Sequence, residues 1–301
     1  GQLVARTRSR HALSERHTRD LSSHQGTEAI VEADVLGRTL QAGKLVLVER
    51  LGGGGGGTVY RAQYSDRRKD VAVKVLHENV QQDLDFCARF HAEALAASKL
   101  DHQNLVRVID FGQEPDGLLY LTMEYLKGPS LRQVLEREGP LPPERAVALL
   151  VQVCAGLTHA HERGVVHRDV KPSNVILVEA RDDDDRAVQL AKVCDFGIAR
   201  EGAEPTEEGD QISGTPEYMS PEQCAGAVVD ARSDVYSCGV MLYELLTGAL
   251  PFQAEHPEDY LRLHRLAAPT PLSTVLPGVD PRLEDVVLKA LAKSPEARFE
   301  S

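Results

Sequence analysis

The chain has 301 residues, of which 42% are hydrophobic and 27% charged, and its formal net charge is −12. This balance is typical of a folded protein, and the length allows two lobes that share a cleft. The negative charge argues against nonspecific binding of nucleic acid or anionic membrane, because clustered Lys and Arg hold such partners.

The five cysteines include no CxxC pair. This pattern predicts reduced thiols in a cytoplasmic protein rather than a disulfide framework or a zinc site, and only Cys194 lies where a thiol could be reactive. No apolar run reaches the roughly 18 residues of a membrane span. We therefore expect no membrane contact by this segment, and an anchor elsewhere in a longer parent protein stays compatible with it.

Residues 1–36 are rich in Arg and Ser with little apolar periodicity, which predicts a flexible N-terminal extension. Apolar alternation then predicts a small set of strands with one helix among them, and after Gly128 a mainly helical region containing one hairpin. The predicted strands are 44–51, 58–64, 70–76, 105–111, 118–124, 175–178 and 188–193, and the predicted helices are 83–100, 131–138, 143–163, 232–247 and 281–293.

The first predicted turn is a run of six glycines between two strands, in which Gly52, Gly54 and Gly57 satisfy GxGxxG. A glycine run alone is more typical of a linker. Between strands it predicts a hairpin whose backbone covers phosphates, with the following glycines as candidate nucleotide-binding residues: Gly52, Gly53, Gly54, Gly55, Gly56 and Gly57. Because glycine loses more entropy when it is ordered, we expect this loop to weaken nucleotide binding.

Lys74 lies in a predicted strand, where its charge could neutralise phosphates. Glu93 falls on the apolar face of the next helix with Phe86, Phe90 and Ala97, and a carboxylate there needs a cation. The sequence therefore predicts a pair between Lys74 and Glu93.

Two further motifs are more specific. In His167-Arg-Asp-Val-Lys-Pro-Ser-Asn174, Asp169 would accept or orient the proton of a substrate hydroxyl, Lys171 would steady the transferred phosphate, and Asn174 would bind a metal. In Asp195-Phe-Gly197, Asp195 would be a second metal ligand. A polar surface loop is the alternative interpretation for the first motif.

With these motifs, the chain from residue 37 onward resembles the eukaryotic-like (Hanks-type) serine/threonine kinases of bacteria. The resemblance extends to Met123-Glu-Tyr-Leu126, the Gly214 to Gln223 segment, Asp234-Val-Tyr-Ser-Cys-Gly239 and Arg298-Phe299. It implies an α+β bilobal fold, with a small antiparallel sheet and one helix in an N-lobe (37–124) and a larger, mainly helical C-lobe (128–301) whose final helix would be cut short.

The resemblance also implies ATP and Mg²⁺ as cofactors, with Mn²⁺ as an alternative, and protein substrates phosphorylated on Ser or Thr. Met123 would close the back of the adenine pocket and the backbones of Glu124 and Leu126 would bind adenine. Asp234 would hold the catalytic loop and Glu222 would pair with Arg298. Apolar residues expected around the nucleotide are Leu51, Val59, Ala72 and Leu177.

Arg168, beside Asp169, suggests control by loop phosphorylation, with Thr206 and Ser213 as candidate sites and self-association as the route to autophosphorylation. Thr215 is expected to be structural, near Asp169 and Lys171. Two other function classes stay open at this stage, namely a catalytically silent scaffold and a small-molecule phosphotransferase.

Overall fold

The structure of the chain is a computed structural model that describes residues 35–54, 56–66, 69–76, 84–181, 185–197 and 215–301. Residues 35–301 form one compact unit. The predicted N-terminal extension up to residue 34, Gly55 and the candidate phosphorylation sites Thr206 and Ser213 lie outside the described residues.

The N-terminal half of this unit is an antiparallel sheet in the order β1-β2-β3-β4-β6-β5. Strands β2 and β3 form a hairpin closed by the pair Gly54 and Gly57, so the glycine run is a β-turn region and not a linker. The six strands are β1 (Thr39–Leu40), β2 (Leu45–Gly54), β3 (Gly57–Tyr64), β4 (Asp70–Val75), β5 (Val108–Gln113) and β6 (Leu119–Glu124).

One helix, α1 (Leu84–Ser98), packs against β5. Its apolar face is buried at Phe86, Phe90 and Ala97, as the sequence pattern predicted. Within the described residues, this half is a curled antiparallel sheet with one helix, and the fold class expected for it is confirmed.

The C-terminal half is mainly helical. Its central element, α5, is buried around nearly its whole circumference from Ser233 to Leu246, as expected for a helix that lies inside a lobe. Asp230 caps its N-terminus, and Gly248 ends it in a left-handed conformation. The helices are α2 (Leu131–Glu138), α3 (Pro143–His161), α4 (Pro221–Cys224), α5 (Ala231–Thr247), α6 (Pro257–Leu266), α7 (Leu272–Val275) and α8 (Pro281–Ala290).

A two-stranded hairpin, β7 (Val175–Arg181) and β8 (Ala187–Val193), extends from this helical half toward the sheet. Among the helices of the described residues, none combines the length and the apolar character that a membrane crossing requires.

Several predicted boundaries were wrong. The strand predicted from Leu105 begins at Val108, because Leu105 instead bridges Val193 of β8 and so ties the sheet to the hairpin. The helix predicted over 281–293 ends at Ala290. The sequence pattern also gave no indication of β1, α4, α6 and α7.

Glycine is required at position 57, where β3 begins directly after the turn of the glycine hairpin. Its φ is +145°, and a Cβ there would meet the carbonyl oxygen of Val75 at 2.3 Å. We expect Gly57→Ala to lower the free energy of unfolding by about 1–3 kcal/mol, because backbone strain and this clash cannot both be relieved. Chemical denaturation measures the loss. Gly52→Ala is the matched control, since a Cβ at Gly52 meets nothing within 4 Å, and equal losses for both variants would contradict the prediction.

Candidate active site

A cavity of about 580 Å³ lies between the sheet and the helical half. The glycine hairpin and β4 form one wall, and the loop after α3 with the start of β7 forms the other. Of the residues predicted to bind nucleotide, the cavity is lined by Leu51, Gly52, Gly53, Gly56, Gly57, Val59, Ala72, Lys74, Met123, Glu124 and Leu126.

Leu177 was predicted to line this cavity, and the structure corrects that prediction. Leu177 is buried in the hydrophobic core, whereas its neighbour Ile176 faces the cavity. Successive side chains of a strand point to opposite faces, so the prediction was wrong by one position in β7. The alternation of burial along Val175, Ile176 and Leu177 is the signal that identifies the correct residue.

The segment that joins β6 to α2 is held in place by a lysine of the hairpin. Lys192 Nζ lies 2.7 Å from Glu124 Oε1, and the same carboxylate oxygen accepts a hydrogen bond from the backbone N–H of Arg107. The Glu124 side chain is therefore occupied by these two donors, and Glu124 and Leu126 both line the cavity.

Asp234, near the start of α5, holds the backbone of the catalytic loop, which is the loop that carries Asp169. Its two carboxylate oxygens accept hydrogen bonds from the backbone N–H groups of His167 and Arg168, each at 2.8 Å. A third contact, at 2.7 Å, joins Asp234 to His161 at the end of α3. Asp234 is buried, so a rigid helix core positions the loop, as the resemblance implied.

Asp169, Lys171 and Asn174 meet at the cavity wall. Asn174 Nδ2 donates to the backbone oxygen of Asp169 at 2.8 Å and to its Oδ2 at 3.1 Å. Lys171 Nζ lies 3.0 Å from the same Oδ2 and also donates to the hydroxyl of Thr215. Thr215 thus lies beside Lys171, where it was expected, and the carboxylate of Asp169 is oriented by two donors at once.

The partners of Lys74 and Glu93 differ from those predicted. Lys74 Nζ is paired with Asp195 Oδ1, whereas Glu93 Oε1 lies 3.5 Å from Arg168 Nη1. Lys74 and Glu93 therefore each pair with a third residue instead of with each other.

Cys194 lines the cavity next to Asp195, yet its thiol is not activated. Burial raises the pKa of Cys194 to about 12, with a further contribution from the negative charge of Asp195. The thiol therefore stays protonated at neutral pH, which corrects the expectation that it is reactive.

A buried ion pair joins the end of the chain to α4. Arg298 donates to Glu222 Oε1 at 2.7 Å and to Oε2 at 2.8 Å, and the Arg298 side chain is 0% exposed. Although burial raises the pKa of Glu222, hydrogen bonds from Arg298 and Ser233 outweigh it and hold this pKa below its usual value. This pair is the one that the resemblance implied.

Comparison with known proteins identifies the family and the fold. Residues 45–300 match the family described as protein kinase domain. The chain is 41% identical over 273 residues to serine/threonine-protein kinase pkn3 of Myxococcus xanthus, which covers 88% of this chain and 49% of that protein. It is 42% identical over 261 residues to PknB of Mycobacterium tuberculosis, which covers 85% of this chain and 40% of that protein.

Among solved structures, the kinase domain of M. tuberculosis PknI superposes with a TM-score of 0.69 at 32% identity, over 88% of this chain and 93% of that chain. The match to a kinase domain is therefore nearly complete, whereas the chain spans less than half the length of the two full-length relatives.

Proposed function

The chain belongs to the protein kinase family, and from this premise we propose that it transfers the γ-phosphate of ATP to serine and threonine hydroxyls of protein substrates. The observation that carries the proposal is the meeting of Asp169, Lys171, Asn174 and Asp195 on one wall of a cavity whose other wall is the glycine hairpin and Lys74. A small-molecule phosphotransferase is disfavoured, since the named relatives are serine/threonine-protein kinases.

The adenine of ATP would lie between Val59 and Ala72 on the sheet side and Ile176 on the hairpin side, all of which line the cavity. Met123 would close the back, and backbone groups of Glu124 and Leu126 would supply hydrogen bonds to the base. Apolar surfaces with few polar groups are the usual composition of such sites.

The family implies a divalent cation, and the residues present fit one. The amide nitrogen of Asn174 donates to Asp169, so its amide oxygen is left as a neutral metal ligand. Asp195 adds a carboxylate ligand. Such oxygen ligands suit Mg²⁺ and Mn²⁺ alike, and we propose Mg²⁺ as the cation, with Mn²⁺ as the alternative. When bound, the cation would neutralise charge on the transferred phosphate.

Asp169 would accept the proton of the substrate hydroxyl, and Lys171 would stabilise the charge on the phosphate as it moves. The contacts from Lys171 and Asn174 orient the carboxylate before the substrate arrives. The position of Lys171, bonded to Thr215, supports Ser/Thr rather than Tyr as the acceptor, as the resemblance implied.

Catalysis requires the charged groups of the cavity to exchange partners. An active protein kinase has its strand Lys paired with the helix Glu and its Asp-Phe-Gly Asp on the metal. Here this means that Lys74 leaves Asp195 for Glu93 and phosphate, and that Glu93 leaves Arg168. We propose that a shift of α1 carries this exchange. Phosphate on the loop at Thr206 or Ser213 would favour it by taking Arg168 from Glu93.

Self-association for autophosphorylation and a location in the cytoplasm, where ATP is available, belong to the same proposal. The five cysteines are free thiols, which suits a reducing compartment.

The test is transfer of labelled γ-phosphate to casein and to the chain itself, with Mg²⁺, with Mn²⁺ and with EDTA. We expect label on Ser and Thr after acid hydrolysis, faster with Mg²⁺ and none with EDTA. Binding of ATP without any transfer, under every metal and at high protein concentration, would instead favour the scaffold interpretation.

The glycine hairpin offers a separate prediction for nucleotide affinity. Gly56 lines the cavity within the glycine hairpin. We expect Gly56→Ala to lower the Kd for ATP roughly two- to fivefold, because less entropy is lost when the hairpin closes. Calorimetric titration measures this, and an unchanged or higher Kd would remove entropy as the explanation.

A further inference from the structure

Gln223 at the third position of α4 uses both ends of its side-chain amide. Its Oε1 accepts a hydrogen bond from the backbone N–H of Ser220 at 3.0 Å, while its own backbone N–H donates to Ser220 Oγ at 3.3 Å. These two bonds form a capping box at the start of the helix. The capping box leaves the amide nitrogen of Gln223 available as a donor.

That nitrogen donates to the backbone carbonyl oxygen of Arg168, at 2.9 Å. The carbonyl belongs to the peptide unit that joins Arg168 to Asp169. The N–H of the same unit donates to His167 Nδ1 at 3.2 Å. One peptide plane is therefore held at its oxygen by Gln223 and at its nitrogen by His167, and the proposed catalytic carboxylate follows it directly.

This peptide needs external support because Arg168 has a φ of +65°. A non-glycine residue in the left-handed region costs of the order of 1 kcal/mol and persists only where surrounding contacts hold it. Asp234 holds the N–H of Arg168, and Gln223 holds its carbonyl. Both ends of the strained residue are thus fixed from different helices.

We propose that Gln223 is a positioning residue for Asp169, linking the start of α4 to the catalytic loop. The inference rests on the proposed kinase activity. Glutamate would serve the capping box equally well, since Ser-x-x-Glu is a common form of it. Only an amide also donates to the Arg168 carbonyl, so the choice of Gln over Glu is explained by the contact to the loop.

Gln223→Glu tests this with almost no change of shape. The variant keeps an oxygen that accepts the hydrogen bond from the backbone N–H of Ser220. It replaces the amide nitrogen by a carboxylate oxygen that faces the carbonyl oxygen of Arg168. We expect kcat for casein to fall roughly 10- to 100-fold with the Kd for ATP unchanged, since a small misplacement of a catalytic group has effects of this size.

The pH profile separates positioning from general damage. The introduced carboxyl has its pKa raised by the facing carbonyl, and once protonated it donates again. Activity of Gln223→Glu relative to the wild type should therefore rise as the pH falls, whereas relative activity of Gln223→Leu, which has no donor at any pH, should stay low. Gln133 forms the equivalent capping box of α2. The melting temperature of Gln133→Glu therefore shows how replacing Gln by Glu affects a capping box alone.

Hydrogen–deuterium exchange over residues 165–172 gives a readout that does not require activity. We expect faster exchange in Gln223→Glu than in the wild type, because the peptide plane loses one of its two anchors. Wild-type kcat together with wild-type exchange in this variant would overturn the inference. Faster exchange in a chain whose wild type transfers no phosphate would support the positioning role and refute the proposed function instead.

Discussion

Asp169→Asn should reduce kcat for phosphate transfer by roughly 10²- to 10⁴-fold, the range that a positioned general base contributes. The substitution keeps the shape of a side chain that is only 8% exposed, and its amide oxygen can still accept the bonds from Asn174 and Lys171. What it removes is the charge and basicity that attract the substrate proton. The fold and the Kd for ATP should therefore stay as in the wild type.

The control for this variant is Asp185→Asn. Asp185 has an 83% exposed side chain in the hairpin, paired with Arg181 at 3.3 Å, and it is remote from the cavity lining. Asp185→Asn changes the net charge by the same amount as Asp169→Asn and should leave kcat unchanged. If Asp169→Asn retained wild-type turnover in the labelled-phosphate assay, the base would have to be another group and the assignment of Asp169 would be wrong.

The sequence predicted the site better than it predicted the elements that carry it. Asp169, Lys171, Asn174 and Asp195 lie in short motifs, and the resemblance to the kinase family implied that they share one site. All four line the cavity. Helices α6 and α7 were missed because α6 has buried residues only at Tyr260 and His264, and α7 has one short turn, so neither shows a sustained apolar period.

Partner choice was the part that sequence could not decide. Lys74 and Glu93 were expected to pair because each lacked another explanation, yet the structure offers Asp195 to one and Arg168 to the other. The two arrangements involve the same charged groups with different partners. Their difference in free energy depends on where α1 lies, and no local pattern of residues encodes a rigid-body position.

Gln223 shows a different limit. The structure shows that Gln223 completes a capping box with Ser220 at the start of α4. Its second contact, to Arg168, joins residues 55 positions apart and depends on how α4 packs beside the catalytic loop. Local sequence patterns therefore identify the hydrogen bonds that a side chain makes within its own segment, but not those that it makes to distant residues.

The largest effect on stability is expected from Arg298→Met. The guanidinium of Arg298 is buried, binds both oxygens of Glu222, and also donates to the backbone oxygens of Ala292, Arg232 and Lys293. Removing it leaves a carboxylate that is 9% exposed without its cation, which costs about 3–5 kcal/mol in comparable buried pairs. Urea denaturation should show this loss in the free energy of unfolding.

Arg282→Met is the matched control for that variant. Arg282 also binds a carboxylate, Asp280, at 2.6 Å, but its side chain is 89% exposed, and exposed pairs contribute about 0–1 kcal/mol. Adding Glu222→Gln to Arg298→Met should recover part of the loss, because the uncompensated charge is then gone. A loss as small as that of Arg282→Met would show that water reaches Glu222 readily.

The pH dependence of this loss provides a check on its cause. In the wild type the pKa of Glu222 is below its ordinary value of 4.5, so the stability that the pair adds is present above pH 4.5 and is lost as the pH falls through the lower, folded-state pKa. In Arg298→Met, burial without the cation raises that pKa, so protonation stabilises the variant as the pH falls. The difference in unfolding free energy between the two proteins should therefore narrow toward acid pH. A constant difference would assign the loss to the backbone contacts of Arg298 rather than to its charge.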